Sequence, residues 1–110
     1  MIKDEIVRLR LKKRFREQKP HIHIGKVKAF TDFWVVVDGV GVMLTRNQAD
    51  GAQVDKQVSR SVFPRDNIES IRVLPSDFDY KNLKITTEGQ QIRLVVDGAE
   101  DAYLGELGEG

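Results

Sequence analysis

The sequence predicts a small, mostly β protein: one strongly bent five-stranded sheet curling into a barrel, followed by a β-hairpin extension at the C-terminus. Three observations lead there. Apolar residues recur at every second position in the first two runs, residues 7–11 and 21–31, the period of a strand rather than a helix, and further short apolar runs follow up to residue 75. Glycine interrupts two of the longest runs in mid-strand, at Gly25 and Gly39, where small barrels need a bulge or sharp bend to close. Turn formers, among them Pro20, Gly51, Pro64 and Pro75, separate the runs.

The first element is expected from about Glu5 to Phe15, because Val7, Leu9 and Leu11 alternate with Arg8, Arg10 and Lys12. A helix is the competing reading for residues 1–18. Ile2, Ile6 and Leu9 share one helical face, but Val7, Leu11 and Phe15 fall on another, which would spread the apolar stripe. Residues 17–20 form a turn, since Pro20 removes a ladder donor and pushes Lys19 to an extended conformation. His21 to Thr31 is the second strand, bent at Gly25. Phe33 to Leu44 is the most apolar stretch and reads as one long strand with a bulge at Asp38-Gly39, although that pair would also serve a hairpin. Trp34 opens this stretch and is expected in the core. Residues 46–56 show no apolar period and are expected as a polar loop. Val58 to Phe63 and Ile68 to Leu74 are strands joined by a tight turn over Pro64–Asn67. These elements form a unit over residues 1–75. Residues 76–110 are an appendage: a loop, a hairpin over about 83–96 around Glu88-Gly89-Gln90, and a Gly- and Glu-rich acidic tail from Asp97 expected to be disordered at its end.

A length of 110 residues corresponds to one domain with a modest core, and a charged fraction of 32% beside 40% hydrophobic residues is a globular balance. The absence of cysteine excludes disulfides and thiolate metal sites. The N-terminal run is charged throughout, which fits neither a signal peptide nor a membrane span, so a cytoplasmic location is expected. The net charge of +1 conceals an asymmetry. Residues 1–30 hold ten basic side chains against three acidic ones, and residues 97–110 hold five acidic side chains and no basic one. That distribution suits a polyanion-binding face and a tail able to compete for it; two solvated surfaces of opposite sign are the plainer alternative.

The run GKVKAFTDFWVVV, Gly25 to Val37, carries a glycine, an apolar residue two positions on, an aromatic, an aspartate and an apolar strand. VFPRDNIESI, Val62 to Ile71, carries an apolar pair, an arginine in a turn and an alternating strand. Together these resemble the two sequence motifs of the Sm/LSm/Hfq family over about residues 5–75. Thr31 stands where the family usually has its aspartate, Val35 where many members have an asparagine, and Asp66 follows Arg65 where the family has glycine or histidine. The family's base pocket therefore does not carry over whole. The resemblance implies an Sm-like (SH3-like) barrel that assembles head to tail into a ring of five to seven copies, the strand at 58–63 of one copy pairing with that at 68–74 of the next.

The resemblance also implies a non-enzymatic role: binding single-stranded RNA, or single-stranded DNA, in RNA processing or regulation. Phe33 matches the family position that stacks on a base, and Arg65 matches the basic turn residue beside it. Stacked aromatic and guanidinium groups suit unpaired bases. Asn67 offers donor and acceptor to a base edge. Arg8, Arg10, Lys12, Lys13, Arg14 and Arg16 are the expected phosphate contacts, provided that their face is exposed. For Phe33 the alternative is core packing, and for Arg65 a solvated turn. At the level of function, the alternatives are a structural ring or scaffold without nucleic acid and a monomeric module of OB or SH3 type.

Other chemistry finds little support. His21 and His23 share a strand face but amount to half a metal site. Asp77 and Asp79 lack a nucleophile or histidine placed beside them, and a turn docking Phe78 and Tyr80 on the barrel accounts for them. Asp38-Gly39-Val40-Gly41 lacks the spacing of a phosphate loop. No cofactor or metal is expected.

Overall fold

The computed structural model describes residues 2–14, 18–45 and 51–107. Strands make up 56% of the described residues and helix 3%. The strands are β1 (Ile6–Leu11), β2 (His21–Phe30), β3 (Trp34–Leu44), β4 (Ala52–Val54), β5 (Ser59–Pro64), β6 (Ile68–Val73), β7 (Ile85–Glu88), β8 (Gln91–Leu94) and β9 (Ala102–Glu106), with a 3-10 turn at Arg65–Asn67 between β5 and β6. All pairings are antiparallel. The first sheet runs β4-β3-β2-β1-β6, with β5 also on β3, and the second runs β7-β8-β9. Among the described residues β5 and β6 do not pair, so the first sheet is not a closed barrel.

The helical alternative for the N-terminal segment is not adopted. Strand β1 lies between β2 and β6 and exposes neither face: Val7 and Leu9 enter one apolar cluster and Ile6 the other. Strand β3 is a single long strand. Its residues 34–39 carry β5 and its residues 42–44 carry β4 on the same edge. Between those halves, Gly39 faces Gly25 of β2. A Cβ on Gly25 would lie 2.2 Å from the Asp38 carbonyl oxygen, and one on Gly39 would lie 2.1 Å from that of Ile24. The two backbones therefore press together at a contact that only glycine on both strands permits. The register runs unbroken through Gly25 and Asp38-Gly39, so the bulge expected there is absent; the irregularity in this pair lies instead between Val27 and Ala29.

The cores lie on opposite faces of the first sheet. Val7, Leu9, Val27, Val35, Val37 and Phe63 fill one. Ile22, Ile24, Val42, Leu44 and Ala52 meet Ile92, Leu94, Val96, Ala102 and Leu104 of the C-terminal sheet in the other, with Phe78 and Tyr80 packed against them.

Three expectations need correction. The polar loop contains β4, which is too short to display a period; burial of Ala52 and pairing with β3 hold it. The acidic tail carries an unexpected strand, and its end, residues 108–110, lies outside the described residues. Residues 102–106 form β9, whose Ala102 and Leu104 are buried while Tyr103 is half-buried; the Gly and Glu residues around them give the segment its unstructured composition. Trp34 is 50% exposed rather than in the core, because β3 begins at the sheet margin, with the buried positions starting at Val35.

Two measurements check this architecture. Gly39→Ala should lower stability by about 3 kcal/mol or more, because the methyl has only backbone to displace; a urea midpoint within experimental error of the parent would remove the role given to the glycine pair. Leu104→Ala should lower stability by about 2–5 kcal/mol, the usual result of truncating a buried leucine, whereas a disordered tail would show no change.

Candidate nucleic-acid interface

The β2–β3 turn is held by its own threonine. Thr31 N–H donates to the Trp34 carbonyl at 2.9 Å, and the Thr31 hydroxyl oxygen accepts from the N–H groups of Phe33 (3.2 Å) and Trp34 (3.0 Å). With the turn tied from within, Phe33 stands 74% exposed at its tip. The adjoining β5–β6 turn is fastened to it. Arg65 N–H donates to the Phe33 carbonyl at 2.9 Å, and Arg65 Nη1 donates to the Thr31 carbonyl at 3.1 Å. The Arg65 guanidinium lies 4.4 Å from the centre of the Phe30 ring. Trp34 sits opposite Pro64 in the β3–β5 register. Asp32, Phe33, Trp34, Pro64, Arg65 and Asp66 consequently line one shallow groove of about 260 Å³.

A second groove, of about 320 Å³, lies across the 3-10 turn and is lined by Lys12, Lys13, Arg14, Asp66 and Asn67. It exists because Lys12 N–H donates to the Asn67 carbonyl at 2.9 Å, so the chain leaving β1 runs alongside the turn. Asp66 belongs to both grooves. The Asn67 side-chain oxygen is buried without a hydrogen-bond partner, an acceptor still to be satisfied. Phe33, Arg65, Asn67, Lys12, Lys13 and Arg14 are thereby gathered around one turn. Arg16 lies outside the described residues.

Arg8 and Arg10 are not part of this surface. They are 7% and 6% exposed, and the expectation of a basic face including them is corrected. The C-terminal sheet covers their side of β1. Arg8 Nη1 donates to Ser70 Oγ at 2.9 Å. Arg10 pairs with Glu69 at 3.1 Å, donates to the Leu104 carbonyl and lies 5.6 Å from the Tyr103 ring centre. Burial, and then the charges of Arg10 and Arg72, depress the Arg8 pKa. Arg72, opposite Arg8 in the β1–β6 register, donates to the backbone carbonyls of Asp101 and Glu100.

Two further groups have structural roles. The Asp79 carboxyl is held below its usual range by hydrogen bonds from the Asn82 side chain (2.8 Å) and Lys81 N–H (3.0 Å), as expected of a turn residue. His23 packs against Phe63 in a tilted contact with ring centroids 4.5 Å apart and planes at 55°, while His21 is exposed. No set of three His, Cys, Asp or Glu residues among those described is arranged to hold a metal ion.

Sequence reasoning missed Trp34 and Phe30 as parts of the site. Trp34's place at the first position of its strand, next to the turn, was the available signal. Phe30's role as the platform for Arg65 depends on a contact between residues on separate elements, which has no local signature.

Comparison with protein-family models, with curated proteins and with solved structures finds no match for this chain.

Burial lowers the His23 pKa, with Asp55 opposing the shift and His21 adding to it. The unfolded chain thus binds a proton more readily than the folded one, and stability should fall as pH drops through the usual histidine value. The urea midpoint should decline between about pH 7.5 and about pH 5.5. His23→Phe should flatten that decline; an unaltered slope in the variant would show that His23 is not its source.

Proposed function

We propose that the chain is an Sm-like, ring-forming protein that binds single-stranded RNA, or single-stranded DNA, by stacking bases on Phe33 and Trp34 beside Arg65. Lys12, Lys13 and Arg14 supply phosphate contacts and Asn67 a base-edge contact. The observation that carries this reading is the shared position of Asp66: the exposed aromatic groove and the basic groove are neighbours across one short turn. A single strand needs both a π surface for its bases and cations along its backbone, within reach of adjacent nucleotides. Arg8 and Arg10 drop out of the contact set because they are consumed beneath the C-terminal sheet.

The order of elements along the chain supports the Sm-like reading: a strand with a bulge near its end, a long strand, a tight turn and a short last strand. So do the sheet margins. Strands β5 and β6 each keep one edge unpaired among the described residues, and exposed valines accompany them: Val62 on β5, Val58 just before it and Val73 on β6. An open apolar edge invites pairing with another chain, and head-to-tail pairing of β5 with β6 closes a ring of five to seven copies. Repetition of a weak site around the ring adds avidity. This function is non-catalytic, belongs to RNA processing or regulation, and is set in the cytoplasm.

A second reading, a structural ring without nucleic acid, draws on the same exposed valines and on the loss of Arg8 and Arg10 from the surface. Light-scattering mass with and without a labelled oligonucleotide separates the two. The nucleic-acid reading expects a discrete ring mass and binding that weakens with salt. A ring indifferent to nucleic acid leaves the scaffold, and a monomer removes both.

Phe33→Ala should weaken binding by about 1–3 kcal/mol, the usual range for one base stack, with little change in melting temperature because the ring is exposed. Equal losses of stability and affinity would instead mark Phe33 as a packing residue. Replacing Lys12, Lys13 and Arg14 together with glutamine should reduce the slope of log affinity against log salt by about 2; an unchanged slope would exclude them as phosphate contacts.

A further inference from the structure

Both carboxylates of the aromatic groove are out of place in a site built only to attract a polyanion. Asp32 precedes Phe33 at the tip of the β2–β3 turn, and Asp66 follows Arg65 in the 3-10 turn. Each is exposed, and each lines the groove that Phe33 and Trp34 border. Neither is spent on local structure: the 3-10 turn has no side-chain cap, and among the described residues no hydrogen bond or ion pair engages either carboxylate. The β2–β3 turn is closed by Thr31 rather than by Asp32.

We infer that Asp32 and Asp66 make the site selective for bases that carry an exocyclic amino group and set it against uracil; this rests on the nucleic-acid reading above. The stacking surface itself does not discriminate, because every base has a π face. Discrimination has to come from groups at the base edge. An ionised carboxylate only accepts hydrogen bonds. Cytosine, adenine and guanine each present an amino group with two N–H donors. Uracil presents two carbonyl oxygens flanking one N–H, so a carboxylate meets acceptor against acceptor on both sides of the single donor. An aspartate accepting from the cytosine amino group is an established form of base readout. The position of the carboxylates also orients the strand. Phosphates are repelled from Asp32 and drawn to Lys12, Lys13 and Arg14 across the turn, which leaves base edges facing Asp32, with Asp66 between the two grooves.

Cytosine and uracil are nearly equal in size and stack alike, which makes them the discriminating pair. The test is fluorescence anisotropy of the intact protein with labelled oligo-C and oligo-U of equal length, at one salt concentration and neutral pH. Oligo-C should bind about tenfold or more tightly than oligo-U. In Asp32→Asn/Asp66→Asn the amides offer donors as well as acceptors, and oligo-U should gain on oligo-C until the preference is lost. Both positions are exposed, so the variant should keep the parent's melting temperature. Equal or tighter binding of oligo-U by the parent, or a cytosine preference that survives the double substitution, overturns this inference and leaves the nucleic-acid reading standing. Binding of neither strand at low salt overturns both.

Discussion

Gly25 and Gly39 face each other in adjacent strands so closely that a single Cβ on either would lie within 2.2 Å of a backbone oxygen. Much of the molecule follows from that contact. It lies between the half of β3 that carries β5 and the half that carries β4, and so at the centre of the long strand that organises the sheet. From there the N-terminal half of β3 leads back to the turn at residues 31–33, against which the Arg65 turn is bonded. Side chains on both strands would hold the backbones apart and disturb the register on which this meeting depends.

The C-terminal sheet changes the chemistry of the surface it covers. An alternating strand of valine, leucine and arginine ordinarily turns its arginines to water. In β1 the arginine side is roofed by β9, and Arg10 and Arg72 donate to backbone carbonyls of the covering segment. Guanidinium groups suit this role because they present several donors in one plane and bury a long apolar stem. Basic composition in the N-terminal segment is thus divided between structural charge and surface charge, and Lys12, Lys13 and Arg14 stand on the surface side.

Much of the fold was readable from local pattern. Period-two alternation located β1 and β2, a long apolar run located β3, and β5 and β6 stood out as short apolar runs bounded by prolines and a tight turn. The hairpin of β7 and β8 was visible from its central glycine. Strands β4 and β9 were not legible. The first has only three residues, and the second alternates alanine and leucine with residues typical of a solvated tail. Of the candidate site, the motif resemblance pointed to Phe33 and Arg65 and amide chemistry to Asn67, but nothing in the sequence separated Lys12 from Arg10, two positions away on the same side of the alternation.

The sequence by itself determined that this is a mostly β protein, where its main turns fall, and that a basic N-terminal segment and an aromatic near a turn, Phe33, were available. Those properties are local: side-chain period, turn chemistry and charge reside in neighbouring residues. Tertiary structure alone decided which arginines reach the surface, that Trp34 lies open beside Phe33, and that two carboxylates stand at the edge of the aromatic groove. Each of these depends on which segment covers another, and coverage is set by contacts between residues far apart in the chain, such as Arg10 with Leu104 and Arg65 with Phe30.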